Sequence, residues 1–426
     1  GKIKVDDKII AVGQGKEPPV DVIDMDLREV VKLIRGARGT EVRLTVVRQA
    51  KDKTTKTVVP VIREKIQLQD RAAKSYVYNV NVKEGGKDRK YKMGVINLPS
   101  FYMDFEGRQN REKNFKSSSK DMRNEITKLK KQNVDAVIVD LRSNGGGSLD
   151  ESISIAGLFF DKGPVVQIKA MDGSRYVQED KDGVTYYDGP LMVMINRQSA
   201  SASEIFAGAI QDYDRGVIIG DSHTFGKGTV QNLNDIDEKL GAIKVTISKF
   251  YRPSGSSTQL KGVEADLVLP SISDEYEIGE KFYDYALPWE EIAKSKYKTF
   301  SLVSPYKKKL MAASETRIKE DKLFKDLYKD IEEYRKNEKE RSRVRLYEDK
   351  KEDEKEEDKK EEEDPRKMAD QEPNLDEDAH LQETLRVAAD YVQLLNNRKL
   401  GEIKLLDLKP VSVADKKKES KTKKMP

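Results

Sequence analysis

The chain has 426 residues, 80 basic and 76 acidic and closely interspersed, for a net charge of +4; that balance excludes a dedicated nucleic-acid surface. It has no cysteine and two histidines, His223 and His380, which excludes a disulfide framework and a thiolate metal site and weighs against a histidine-rich one, so no metal or other cofactor is called for. No apolar run approaches the roughly 20 residues of a membrane span, so no integral membrane segment is expected.

A length of this order suits two or three domains. The chain opens inside a pattern, at Gly1-Lys2-Ile3 without Met, and reads as a fragment whose amino-terminal part is missing. Residues 1–63 form a small α+β unit. Lys8 to Val12 is a short strand ending at Gly13. Asp26 to Gly36 reads as a helix, with an aspartate cap, apolar residues at 3.6 spacing and a closing glycine. Thr40 to Arg48 and Thr55 to Arg63 alternate as half-buried strands. This order, with VDDKIIAVG and a helix closed by RGxxGT, resembles the later part of a PDZ domain. The resemblance implies that a substrate's C-terminus adds as a strand beside the helix, against Leu27, Val31 and Ile34. The loop that grips the carboxylate would precede Gly1.

Residues 64–271 read as an α/β core. Ser75 to Val82 and Met93 to Leu98 are strands, and Asp121 to Gln132 is an amphipathic helix. Val134 to Leu141 is nearly all apolar, as a parallel strand covered on both faces must be. It runs into a glycine turn, Arg142 to Ser148, and then a helix over Ser152 to Phe160. The same unit recurs downstream. The apolar strand Leu191 to Ile195 leads to Ser199-Ala200-Ser201-Ala202-Ser203, then a helix over Glu204 to Tyr213 and a second strand, Gly216 to Gly220. Alternation of this kind implies parallel strands. Ala242 to Phe250 and Asp266 to Leu269 add strands. From residue 272 to 426 the chain is a charged, mostly helical extension. Residues 340–375 read as a solvated helix or linker, His380 to Leu395 regains helical periodicity, and Ala414 to Pro426 is a basic tail.

The chemistry centres on the serine turn and on Gly226-Lys227-Gly228. With two histidines, a Ser-His-Asp site would need His223 or His380. His380 sits where a helix begins, and His223 lies in a loop four residues before Lys227. A lysine serves as base once burial lowers its pKa, and Phe225 and Val230 supply apolar surroundings for Lys227. GKGT also looks like a phosphate loop, but Asp221 stands where the first glycine of that pattern belongs. Amides after the serine and in the Asn144 to Gly147 turn are candidate oxyanion donors; that turn serves equally as a plain strand-to-helix connection. Spacing leaves Ser199, Ser201 and Ser203 open as nucleophile, and Ser201 also stands three before Glu204, as a helix cap would.

Asp140-Leu141-Arg142-Ser143-Asn144-Gly145-Gly146-Gly147, Ser199 to Glu204, Thr224 to Gln231, Phe250 to Gly255 and Gln259 to Val263 together resemble the C-terminal processing peptidases. Val95 to Tyr102 and the charged extension are similar to the tail-specific protease branch. The resemblance implies a crotonase-like α/β protease core that selects apolar C-terminal tails through its PDZ domain. It implies Ser201 as nucleophile, Lys227 as general base and Gln231 as the residue orienting the lysine. It further implies the amides of Ala202 and Gly146 as oxyanion hole, with Gly147 the alternative, and Asp212 as a supporting residue, although a surface acid at a helix end fits Asp212 as well. Protein substrates with apolar tails, an adaptor protein and a periplasmic location, reached through a signal peptide in the missing part, follow from it. Ser201 and Lys227 are 26 positions apart, one more than the family pattern, the extra residue falling in Asp221-Ser222-His223. A non-catalytic scaffold and an acyl-CoA-binding crotonase-like enzyme are the competing readings; the intact serine and lysine and the PDZ-like unit count against them.

Overall fold

The structure, a computed structural model, describes residues 3–4, 7–50, 53–64, 72–84, 86–113, 115–237, 241–341, 375–405 and 411–412. The chain divides into two compact units, residues 1–69 and 70–426.

In the first unit, β1 (Lys8–Gln14), β2 (Val20–Asp21), α1 (Leu27–Ile34), β3 (Glu41–Ala50) and β4 (Lys53–Ile62) follow one another, and the strands form an antiparallel sheet in the order β2-β1-β3-β4. Val12, Val22, Val30, Val42, Leu44, Val46 and Val59 form its core. Asp26 caps α1 by accepting from Arg28 N, 2.8 Å. At the other end Arg63 donates to Ile34 O (2.8 Å) and Leu33 O (3.2 Å), a cation on the carbonyls that the helix leaves free. Leu27 is exposed, whereas Val31 and Ile34 are half-buried and Ile34 leans on the core.

The second unit contains β5 (Lys74–Glu84), β6 (Lys87–Asn97), α2 (Phe105–Gln109), α3 (Ser118–Lys131), β7 (Ala136–Asp140), α4 (Leu149–Ala156), β8 (Gly163–Ala170) and β9 (Arg175–Asp180). It continues with β10 (Leu191–Ile195), α5 (Ala202–Asp212), β11 (Val217–Gly220), β12 (Thr229–Asp237), β13 (Gly241–Tyr251) and β14 (Leu267–Val268). Last come α6 (Lys307–Glu320), α7 (Lys322–Arg341), α8 (Ala379–Leu395), β15 (Glu402–Leu405) and β16 (Val411–Ser412). The main sheet runs β14-β11-β10-β7-β6-β5-β15, with β16 also on β5. From β14 to β6 neighbours are parallel, and β5, β15 and β16 add antiparallel. A second sheet, β12-β13-β8-β9, is antiparallel.

Side-chain alternation divides the main sheet between two cores. Val137, Val139, Leu191, Val193 and Ile195 face one core with Met122, Ile155 and Phe206 of α3, α4 and α5. Ala136, Ile138, Met192 and Met194 face the other with Leu310, Phe324, Leu381, Leu385 and Val392 of the C-terminal helices. The helix predicted over Ser152 to Phe160 begins earlier, because Ser148 caps it and its chain turns off at Gly157. The predicted linker at 340–375 lies, apart from its ends, outside the described residues, as does the tail at 414–426.

α8 is buried on nearly all sides, so its polar groups need partners inside the protein. Arg317 supplies them, donating to Glu383 (2.8 Å) and Asp390 (2.7 Å). Burial pushes the Asp390 carboxyl up to about 6 against the pull of Arg317. Arg317→Ala is expected to cost about 3–5 kcal/mol, since it strands the buried Asp390 and leaves the buried Glu383 only the 3.5 Å contact of Arg386. A denaturant titration showing a loss below about 1 kcal/mol would refute this account of the helix.

Candidate functional site

The site is built from two strand-to-helix turns and one lysine loop. β10 and β7 are parallel neighbours, so the turns after them lie side by side. After β10, Ser201 adopts φ 58° and ψ −110°, a region that non-glycine residues occupy at a cost of about 1–3 kcal/mol. The surroundings hold it there. Ala200 N donates to Asn144 O, 3.0 Å. Ser199, fully buried, donates from Oγ to Leu141 O (2.8 Å), and Ser203, equally buried, to Asn144 O (2.8 Å). Two of the three candidate serines are therefore spent on carbonyls of the neighbouring turn. Ser201 remains, half-buried at the sharpest point of the turn, ahead of the first amide of α5.

The turn after β7 has Ser143 at φ 58°, Gly146 at φ 103° and Gly147 at φ 145°. A Cβ on Gly146 would lie 2.8 Å from Ala200 O and 3.0 Å from Ala202 N, so only glycine lets the turns meet. The Gly146 backbone and the Ala202 amide are brought close together in this way. Gly146 N donates to Asn144 Oδ1, 2.9 Å, so that amide is occupied in the structure as it stands.

The lysine loop follows β11 and leads into β12. Lys227 is half-buried. Burial lowers its pKa; Glu280 and Glu204 pull it back up and Lys244 pushes it further down. Its Nζ donates to Thr229 O, 2.9 Å, rather than to Ser201 or Gln231. Gln231 stands on β12 opposite Thr246 and is exposed. The Gln259 to Val263 segment clamps the loop. Gln259 Oε1 accepts from Gly228 N (2.8 Å), and Leu260 N donates to Gly226 O (2.8 Å).

Glu204 joins the serine turn to the lysine loop, a role that sequence reading did not assign beyond that of a helix-capping partner. Its Oε2 accepts from Ser201 N (2.7 Å) and Lys227 N (2.9 Å), and its Oε1 from Thr224 Oγ1 (2.6 Å) and Gly226 N (2.7 Å). The side chain is fully buried. Burial pushes the carboxyl up to about 7 despite these four bonds. The only local signal was an acid in the first turn of α5.

The remaining residues fall outside this constellation. Asp212, at the end of α5, pairs with Arg252 and accepts from Ser254 N (2.9 Å), tying the helix to the Tyr251 to Gly255 loop. His223 is held by Arg197, its Nδ1 2.6 Å from Arg197 Nη1, and burial pushes its pKa down. His380 bonds Pro270 O through Nε2, 2.7 Å, near the head of α8.

The fold and site define a class: a parallel α/β core that presents a serine on a strained strand-to-helix turn, with a desolvated lysine on a loop bound to the same buried carboxylate. Residues 92–269 match peptidase family S41, and residues 273–393 match the C-terminal domain of tail specific protease. The chain belongs to peptidase family S41, in its tail-specific branch. It is 44% identical over 303 residues to the tail-specific protease of Haemophilus influenzae, covering 70% of this chain and 40% of that protein. It is 33% identical over 245 residues to a probable CtpA-like serine protease of Staphylococcus aureus, covering 57% and 43%. Among solved structures it is similar to the photosystem II D1 C-terminal processing protease, at 27% identity, with 62% of each chain covered and a TM-score of 0.40. The chain thus spans well under half the length of these two relatives.

Proposed function

We propose that the chain carries the catalytic part of a serine endopeptidase that recognises apolar C-terminal tails of proteins and cleaves them with a Ser201–Lys227 dyad. The observation that carries this reading is Glu204, whose one oxygen takes the backbone amides of both Ser201 and Lys227. The core is read as crotonase-like and residues 1–69 as PDZ-type, with the exposed Leu27 and half-buried Val31 facing a tail added beside α1. Processing or degradation of periplasmic proteins, with an adaptor among the partners, is the setting we propose.

In this mechanism Ser201 Oγ attacks the scissile carbonyl while the neutral Lys227 amine takes its proton. The developing oxyanion is held by the amides of Ala202 and Gly146, or of Gly147 in its place. Lys227 then protonates the leaving amine, and water hydrolyses the acyl-enzyme with the same amine as base. With Lys227 Nζ on Thr229 O and Gly146 N on Asn144 Oδ1, both groups must change partners before reaction. Tail binding that triggers this change would gate the site.

A serine-reactive phosphonate tests the dyad. Label is expected on Ser201 alone and lost in Lys227→Ala; label on Ser199 or Ser203 would overturn the assignment. Two substrates that differ only in an apolar or an acidic tail test recognition, and equal rates would remove it.

A further inference from the structure

We propose that Asp378, at the head of α8, is a positioning residue for the oxyanion turn: it fixes Arg142, and through Arg142 holds the Ser143–Gly147 turn against Ser201. The inference rests on the reading of that turn given under Proposed function and extends the site into the C-terminal helices.

Asp378 has two tasks. It caps α8, accepting from Leu381 N at 2.9 Å. It also receives Arg142 along one whole edge of the guanidinium, Nη1 to Oδ1 at 2.8 Å and Nη2 to Oδ2 at 2.7 Å, across 236 residues of chain. The other edge of Arg142 meets Asp140, the last residue of β7, with Nε to Oδ1 at 3.0 Å and Nη2 to Oδ2 at 2.7 Å. A planar guanidinium fixed on both edges cannot swing. With Asp140 alone, its outer edge is free to follow solvent. Burial raises the Asp378 carboxyl, but Arg142 overrides this and holds it below its usual range, so the pair stays ionised at neutral pH.

Arg142 stands two residues before Asn144, and Asn144 is the joint between the two turns. It is fully buried; its Nδ2 donates to Leu98 O (2.7 Å), and its O accepts from Ala200 N (3.0 Å) and Ser203 Oγ (2.8 Å). A shift of Arg142 therefore reaches the serine turn through two peptide units. Ser143, at φ 58°, sits in a region that strains a non-glycine residue, so the turn keeps its shape through partners outside it: Asn196 Oδ1 on Ser143 N (2.8 Å), Phe101 N on Gly146 O (2.9 Å), and Arg142 at its head. α8, by contrast, is anchored without Asp378, through Arg317 to Glu383 and Asp390 and through Arg386 to Asp321 (2.9 Å). The carboxylate of Asp378 thus matters more to the turn than to the seat of the helix.

The test compares Asp378→Asn, which keeps a good helix cap and removes the charge, with Asp321→Asn, which loosens α8 at Arg386, about two turns further along the helix. Both are made in the intact protein. Asp378→Asn is expected to lower kcat on an apolar-tailed peptide by about 10–100-fold, as small misplacements at a site do, with KM within about twofold. Phosphonate labelling of Ser201 should slow by the same factor, and Asp378→Glu should recover part of the rate. Asp321→Asn is expected to lower Tm with kcat unchanged. Wild-type kcat in Asp378→Asn, or an equal loss of kcat in Asp321→Asn, would overturn the proposal. If the wild-type protein neither cleaves nor takes label, the protease reading fails instead. The positioning claim is then read from hydrogen exchange, where the Ser143–Gly147 amides must exchange faster in Asp378→Asn than in Asp321→Asn.

Discussion

Lys227→Met is expected to lower kcat on an apolar-tailed peptide by about 10³-fold, within the range that a general base contributes, with KM little changed. Methionine reproduces the apolar stem of lysine as far as Cε and lacks only the amine, so the clamp around the loop survives and the loss reports the amine. The neighbours of Lys227 give a sharper test, through pH. The amine must be unprotonated to take the proton from Ser201, so the rate falls as pH falls through the Lys227 pKa. Glu280 holds that pKa up and Lys244 pushes it down. Glu280→Gln should therefore move the acid limb of the rate profile to lower pH, and Lys244→Gln should move it to higher pH. A Lys227→Met variant with wild-type kcat, or two neighbour variants that shift the limb in the same direction, would remove Lys227 from the base role.

Some of this site is legible in the sequence because its parts are local. The apolar runs ending in Asn144 to Gly147 and in Ser199 to Ser203 are strand-to-helix turns on spacing alone, and they lie on adjacent parallel strands. The choice among three serines is not local. All three have small neighbours, and what separates them is burial and backbone angle, set by carbonyls of Leu141 and Asn144 about 60 positions away. Glu204 is half legible: its bond to Ser201 is three residues long, while its bonds to Thr224, Gly226 and Lys227 depend on how β11 returns the chain. The ion pairs of the C-terminal helices are not local either. The sequence marks His380 to Leu395 as a helix, but that Arg317, Glu383, Arg386 and Asp390 pair with one another depends on how the helices pack. Charge density reports exposure only where charges lack partners within the fold.

Glu204→Gln is expected to cost far more activity than stability. Two terms oppose each other in the stability. Gln removes a buried charge that burial disfavours, as the raised carboxyl pKa shows. It also replaces one acceptor by an NH2 group, which orphans donors at about 1–3 kcal/mol each. If the NH2 takes the Oε2 place, Ser201 N and Lys227 N both lose their acceptor. If it takes the Oε1 place, Gly226 N does, while Thr224 Oγ1 already accepts from Val263 N. In either orientation the serine turn and lysine loop lose part of their shared anchor, and a shift of about 1 Å costs about 10²-fold in rate. Glu204→Ala has no offsetting term. It orphans all four donors around a cavity and should destabilise by more than about 4 kcal/mol, an exceptional loss for one substitution. The pH dependence carries the same logic in wild type. The folded-state pKa is about 7 against 4.5 for an unperturbed glutamate, so the folded protein holds this proton more tightly than the unfolded chain does. The contribution of Glu204 to stability is full below the unfolded value and is lost as pH rises through about 7. Activity follows the opposite course, because only the carboxylate accepts from all four donors at once; an oxygen that carries a proton, or the NH2 of glutamine, cannot take its two. Rate profiles of the two proteins decide the matter. Wild type should show a step near pH 7 that is absent from Glu204→Gln, whose profile keeps only the Lys227 limb. A Glu204→Gln protein with wild-type kcat above that step would mean that the shared carboxylate is not what aligns Ser201 with Lys227.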